Sequence, residues 1–348
     1  GDVAAKVICL LFFLFFPTTL ARPEVTGSGF CNDLVRFIYR MDAPVNLFPS
    51  IHCLESWCCI HAAFAMKKPP KWYRYATTVM ALGVFASTLF VKQHVLVDVF
   101  GGMQDLNHHL IRCVGDPEER FSEDALRILR AVRFSAQLNF PIESATADAI
   151  RKLAPNLQNI SAERIQAELV KLLVSPHPER IRDAYELGLT KVILPEWDAM
   201  EGVAQNTPHH KYDVAEHTLR ALKNVKRDKI LRLTMLFHDM GKPMMKTTDE
   251  NGRDHFRGHA LVSEELARSI LHRLKFDNET IRTVTKLVCY HDYRVEATPK
   301  NVRRAMNRIG VELFPYYLAV RLADVKAQSP YQKREKIENI VEMRQLYQ

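Results

Sequence analysis

The side chains best suited to chemistry lie in the second half of the chain, where His238 and Asp239 are adjacent at the end of an apolar run from Ile230 to Phe237. An imidazole and a carboxylate at one helix end, with Gly241 as a helix stop, present a nitrogen and an oxygen from a rigid position. Further candidates follow at element-length intervals: His217 on a preceding helix, then His259, His291 and Asp324. One buried histidine is usually a satisfied core residue. Several of them in order around an adjacent His-Asp pair read instead as a divalent metal site. Mixed nitrogen and oxygen donors suit Mg, Mn, Fe, Co, Ni or Zn, and such an ion can activate water for attack at phosphorus. Lys242 either contacts a substrate phosphate or neutralises the helix end.

In this order the residues resemble the HD superfamily of metal-dependent phosphohydrolases. The resemblance implies that His217, His238, Asp239 and Asp324 hold one ion, and that His259 and His291 allow a second.

The elements that must position these groups divide unevenly. A length of 348 residues suggests two or three domains. Residues 1–100 hold 9 Lys+Arg and 6 Asp+Glu, against 39 and 34 in the remaining 248, so the first part is built for a different solvent. Five of the seven cysteines (Cys9, Cys31, Cys53, Cys58, Cys59) lie there without metal-site or disulfide-framework spacing and read as small apolar residues. The net charge of +8 is compatible with RNA or an anionic lipid surface and proves neither. The chain begins at Gly1 rather than Met, which reads as an open-ended fragment.

Val7 to Ala21 carries no charge, Ala43 to Met66 only Glu55, and Tyr75 to Val91 none. The first gives roughly 22 Å of helix against a hydrocarbon thickness of roughly 30 Å. It reads as a shortened membrane helix or a signal peptide, and the two apolar segments after it favour the membrane helix. Polar residues flank these segments: Arg22, Ser50, His52, His94 and, at i,i+4 from it, Asp98. This arrangement resembles the C-terminal portion of the phosphatidic acid phosphatase type 2 family over about residues 10–102. The resemblance implies His94 as nucleophile, Asp98 orienting it, His52 protonating the leaving group, and Arg22 with Ser50 on phosphate. The family's first Lys falls at Phe15 and its later Arg at Thr88, so the motif set has gaps.

From Asp98-Val99-Phe100-Gly101-Gly102-Met103-Gln104-Asp105-Leu106 onward the chain resembles the class II tRNA nucleotidyltransferases, the CCA-adding enzymes. The run Asp116 to Phe134, with Glu123-Asp124-Ala125-Leu126-Arg127 at its centre, is the strongest signature. It implies nucleotide binding by Glu123, Asp124, Arg127 and Arg130, with Asp124 and Arg127 reading the base edge of CTP or ATP. A carboxylate and a guanidinium supply the acceptor and donors that such an edge needs. Ser122 reads as a helix N-cap. Helices are expected at Ser144 to Leu153, Ser161 to Val174 and Pro178 to Leu187, then almost continuously from Ala215 to Tyr347. His209 and His210 read as turn polarity, with substrate contact or support of the metal site as the alternative.

The expected fold is all-α: transmembrane helices over 1–99, a helical neck and body over 100–198, and an HD bundle over 199–348. Nucleotidyl transfer needs a carboxylate pair on a β-sheet head, and no Asp-x-Asp precedes residue 98. Lys67, Lys68, Lys71 and Arg74 place their loop in the cytoplasm and everything after the third segment outside, whereas tRNA is cytoplasmic. A join of two unrelated gene fragments near residues 98–106 would explain the conflict. Three functions stay in view: an HD phosphohydrolase with tRNA, CTP and ATP as partners, a tRNA-binding module without chemistry, and a membrane lipid phosphatase.

Overall fold

The computed structural model describes residues 107–348, together with Tyr75, Ala76, Thr78, Val79 and Asp105. Arg22, Ser50, His52, His94 and Asp98, and all but four residues of the three apolar segments, lie outside the described residues. Among the described residues no helix is long and apolar enough to cross a membrane.

Asp105–Gln348 forms one compact unit of helices. The first, α1 (Pro117–Glu123), starts at Asp116, whose carboxylate accepts the Glu119 N–H at 2.9 Å, with proline at the first turn where no amide donor is needed. Asp116, not Ser122, is therefore the cap: Ser122 sits inside α1, because an Asp-Pro step five residues earlier already supplies a stronger start. After it come α2 (Leu126–Leu138), α3 (Ser144–Leu153) and α4 (Ala162–Leu173). Asn139 ends α2 in the left-handed conformation, at φ 58°. The face Leu126, Ile128, Leu129 and Val132 of α2 is buried, and α4 packs along it. Three short helices, α5 (Ile181–Glu186), α6 (Thr190–Ile193) and α7 (Pro195–Asp198), close this half over the buried Trp197. The segment from Pro178 begins as a 3-10 turn over Pro178–Arg180 before α5.

The second half is the site's scaffold. It runs α8 (Val214–Asn224), α9 (Lys229–Phe237) and α10 (Lys242–Met245), then the strands β1 (Thr247–Thr248) and β2 (Asp254–His255). It continues as α11 (His259–Arg273), α12 (Asn278–Tyr290), α13 (Pro299–Ile309), α14 (Phe314–Ala327) and α15 (Lys333–Tyr347). The antiparallel pair β1–β2, registering Thr247 with His255 and Thr248 with Asp254, departs from a purely helical reading. Aspartates cap three helices at the site: Asp213 accepts the Glu216 N–H at 2.7 Å, Asp228 that of Leu231 at 3.0 Å, and Asp277 that of Thr280 at 2.8 Å. Each such cap contributes about 1 kcal/mol. α8 packs on α14, and α12 on both α9 and α11. Phe237, fully buried next to His238, anchors the end of α9, and truncating such a side chain costs about 3–5 kcal/mol.

Candidate metal centre

Three helix ends and two helix interiors meet in one place. His238 and Asp239 follow the last residue of α9, His259 opens α11, and His291 follows the last residue of α12. His217 and Asp324 project from the middles of α8 and α14. All six are buried. Their ligand atoms form two groups, His217–His238–Asp324 and Asp239–His259–His291, the atoms of each lying within 4.8 Å of one another.

Asp239 joins the two groups. Its Oδ2 lies 3.5 Å from His217 Nε2 and 3.3 Å from His238 Nε2, and its Oδ1 lies 3.5 Å from both His259 Nε2 and His291 Nε2. Asp324 Oδ1 is 3.0 Å from His217 Nε2. One carboxylate thus spans two nitrogen-rich pockets.

The tautomers follow from the carbonyls behind the rings. His238 Nδ1 faces the Met235 carbonyl at 2.7 Å, His259 Nδ1 that of Phe256 at 2.7 Å, and His291 Nδ1 that of Val288 at 2.6 Å. A carbonyl only accepts, so each Nδ1 carries the proton and each Nε2 of a neutral ring presents its lone pair to the centre. Two such nitrogens repel at close range, yet those of His259 and His291 approach to 3.1 Å; His217, whose Nδ1 has no partner, instead directs Nε2 at Asp324 Oδ1, 3.0 Å away, with His238 Nε2 at 3.3 Å. A shared cation removes that repulsion, and the imidazole–carboxylate set fits a borderline divalent ion. Backbone carbonyls that orient ligand imidazoles are the usual outer support of metal sites.

The charges fit the same picture. Burial pushes the Asp239 carboxyl up, but His238 and the Lys242 ammonium outweigh it and hold it well below the usual range. Burial also raises Asp324, and the His217 hydrogen bond, with His217, His238 and Arg321, brings it well below. Burial pushes His259 down to about 4, against the pull of Asp239.

Lys242 neither caps α9 nor lies at the surface: its buried Nζ donates to Asp239 Oδ2 and to Gln205 Oε1, both at 2.7 Å. Gly241 does not stop the chain by its conformation, since its φ of −79° is ordinary and α10 follows directly. It is needed because a Cβ there would lie 2.5 Å from the His259 carbonyl oxygen, in the first turn of α11. His210 is more than turn polarity: its ring packs edge-to-face on His217, centroids 5.0 Å apart, and burial depresses its pKa to about 2. His209 Nδ1 lies 3.1 Å from Lys336 Nζ.

Sequence reasoning missed three supports. Gln328 donates to both Asp324 oxygens at 3.1 Å, Arg321 donates to the His291 carbonyl at 3.1 Å, and Gln205 shares Lys242. Arg321 and Gln328 stand three residues before and four after Asp324 on α14, so helical spacing around a candidate ligand could have found them. Gln205 carries no such signal. The centre opens into a cleft of about 860 Å³ whose rim includes Arg253, Arg257, Arg294 and Lys336.

The nucleotide-binding candidates form a separate cluster at the α1–α2 junction. Asp124 Oδ2 holds Arg164 of α4 at 2.9 Å, while its Oδ1 accepts the Leu126 N–H at 3.1 Å. Glu123 holds Arg127 at 2.6 Å, and Arg127 also donates to the Arg120 carbonyl at 2.9 Å. The Arg127 hydrogen bond lowers the Glu123 carboxyl. Arg133 makes an ion pair with the buried Glu168 at 2.9 Å, whereas Arg130 makes no hydrogen bond or ion pair among the described residues.

Residues 139–201 match the model of the probable RNA and SrmB-binding site of polymerase A, and residues 208–336 match the HD domain. An A-adding tRNA nucleotidyltransferase of Deinococcus radiodurans is 37% identical over 244 residues, 67% of this chain and 55% of that protein. A CC-adding tRNA nucleotidyltransferase of Thermus thermophilus is 36% identical over 250 residues, 68% of this chain and 57% of that protein. A crystal structure of the Bacillus stearothermophilus CCA-adding enzyme in complex with CTP superposes with TM-score 0.48 at 26% identity, over 71% of this chain and 53% of that one. The chain thus spans little more than half the length of these relatives.

Proposed function

The chain belongs to the CCA-adding tRNA nucleotidyltransferase family by its RNA-binding segment and HD domain, and from that premise we propose a metal-dependent phosphohydrolase carried on an RNA- and nucleotide-binding helical body. The observation that carries the hydrolase reading is Asp239, a single buried carboxylate with one oxygen on each of two imidazole pairs. His217, His238, Asp239 and Asp324 would hold one divalent ion, and His259 and His291 with Asp239 a second. Bound there, such ions supply Lewis acidity toward a phosphoryl oxygen and lower the pKa of water.

The chain's own groups position and balance that chemistry. Lys242 fixes the Asp239 carboxylate, Gln328 and Arg321 fix Asp324 and His291, and the basic rim draws phosphate toward the cleft. Glu123, Asp124, Arg127 and Arg130 would serve CTP or ATP, and of the two arginines Arg130 is the one that makes no hydrogen bond or ion pair among the described residues. Among the described residues the metal-ligating clusters both belong to the HD centre. With tRNA as partner, the site of action is the cytoplasm.

The test is hydrolysis of bis(p-nitrophenyl) phosphate and of a 2′,3′-cyclic nucleotide with Mn²⁺ or Ni²⁺. His238→Ala and Asp239→Ala should each lower the rate by more than the roughly 10–100-fold that loss of an outer support costs. Hydrolysis unchanged in both variants would remove the proposal.

A further inference from the structure

α13 is the most one-sided helix of the described residues in charge. Its sequence, Pro-Lys-Asn-Val-Arg-Arg-Ala-Met-Asn-Arg-Ile, holds Lys300, Arg303, Arg304 and Arg308 and no carboxylate. All four cations are exposed, while Val302, Ala305 and Ile309 are buried against α14 and α15. None of the four forms an ion pair among the described residues.

On four other helices of the described residues an exposed cation is paired with a carboxylate of its own helix. Arg151 pairs with Asp148 at 2.6 Å, Arg220 with Glu216 at 2.6 Å, Arg268 with Glu264 at 2.6 Å and Arg334 with Glu338 at 2.7 Å, all at helical spacing. On α13 the same spacing sets like charges together: Lys300, Arg304 and Arg308 follow one another at i,i+4, an arrangement that repels. Lys300 also stands in the first helical turn, where the macrodipole disfavours a cation. A helix that accepts both penalties is stabilised when an external anion neutralises it.

The cationic ridge also leads to the metal cleft. Arg308 lies over the ring of Tyr293, 5.3 Å from its centroid, and the next residue, Arg294, lines the cleft. Arg294, Arg253 and Lys336 all act on His209 at the same mouth. Asp292 and Glu296 are the carboxylates along this path; Asp292 is shared by Arg294 at 3.6 Å and Arg321 at 3.7 Å, and Glu296 forms no ion pair among the described residues.

We infer that α13, Tyr293 and Arg294 form a track for an RNA strand, with Lys300, Arg304 and Arg308 on successive phosphates and the strand's end directed into the HD cleft. An RNA fits better than a lipid surface. A membrane-surface helix needs its apolar face free, and the apolar face of α13 is buried inside the protein. A single strand instead asks for a cationic ridge with an aromatic ring on it. The functional sense of the track rests on the phosphohydrolase reading, but the binding it predicts is measured apart from hydrolysis.

The experiment titrates the full chain against a fluorescein-labelled acceptor minihelix with a single-stranded 3′ end, by anisotropy over a series of KCl concentrations. Each phosphate contact on a single strand adds about 0.7 to the slope of log K against log salt. The variant K300Q/R304Q/R308Q should lose about 2 from that slope, whereas R304K/R308K, which keeps the charges, should keep the slope. Mn²⁺-dependent hydrolysis of bis(p-nitrophenyl) phosphate should be unchanged in both. R151Q/K152Q serves as the surface control and should leave the slope in place. An unaltered slope in the triple variant overturns the track, as does a loss confined to binding of phosphatidylserine vesicles. A reduced slope in the triple variant, with a wild-type chain that hydrolyses nothing, would uphold the track and sink the hydrolase reading.

Discussion

Replacing Gly241 with alanine puts a methyl carbon 2.5 Å from the His259 carbonyl oxygen, 2.7 Å from the Ser263 nitrogen and 2.9 Å from Val262 Cβ. Two of these three atoms are backbone of the first two turns of α11, so relief requires that helix to move as a body. Overpacking of this kind costs roughly 1–3 kcal/mol. The shift also strains the Gly241 N–H to Ser263 Oγ hydrogen bond of 2.8 Å, a loss of about 1 kcal/mol. A total of about 2–4 kcal/mol corresponds to a fall in Tm of roughly 5–15 °C for a unit of this size.

The same displacement separates Asp239, two residues before Gly241, from His259, the first residue of α11. Metal content should therefore fall along with stability. The assay is calorimetry on metal-free protein together with metal analysis after Mn²⁺ loading. Gly202→Ala is the control: nothing lies within 4 Å of its added carbon, and only its φ of +70° is strained. That variant should lose about 1 kcal/mol and no metal. A G241A chain with wild-type metal content and a Tm within about 2 °C of wild type would show that the close approach of α11 to Asp239 does not organise the site.

Lys242→Met removes the ammonium that sits 2.7 Å from buried Asp239; breaking one side of such a pair costs about 3–5 kcal/mol. The loss should show in thermal unfolding without metal and shrink when Mn²⁺ is added, since the ion takes over neutralising Asp239; an equal loss in both conditions counts against the metal site. Glu168→Ala strands Arg133, whose side chain is 14% exposed, and should lower the urea midpoint by an amount equal to about 3–5 kcal/mol. Arg133→Met with Glu168→Leu together should recover most of it, and failure to recover would mean that the pair does more than balance charge. Metal-free protein should also lose stability as pH falls. His259 titrates near 4 in the fold against 6.5 when free, so the unfolded chain binds the extra proton and stability declines between about 6.5 and 4, by at most roughly 3 kcal/mol. His210, depressed to about 2, acts in the same direction. A flat stability profile across that window, measured by urea titration, would contradict the burial of these imidazoles.

The centre was legible in the sequence because its groups are chemically rare and sit where helices begin and end. His238-Asp239, His259 and His291 mark three such ends, and α3 and α4 fall where Ser144 to Leu153 and Ser161 to Val174 are expected. The failures share a cause: each depends on a neighbour distant in the chain. Ser122 has the chemistry of a cap, but Asp116-Pro117 claims the helix start first. Gly241 looks like a terminator until α11 is seen lying against it. Lys242 reads as a phosphate contact or a helix-end charge until Gln205, 37 residues earlier, turns out to share its proton donors with Asp239. The β1–β2 pair is too short for a period-two pattern, and Asp254 fixes it from the side by accepting the Asn206 N–H at 2.8 Å. Which residues are candidate ligands was thus a local property, whereas where they sit relative to one another was not. The carboxylate of Asp239 faces both imidazole pairs only because α9, α11 and α12 converge, and that convergence depends on one missing methyl group at Gly241.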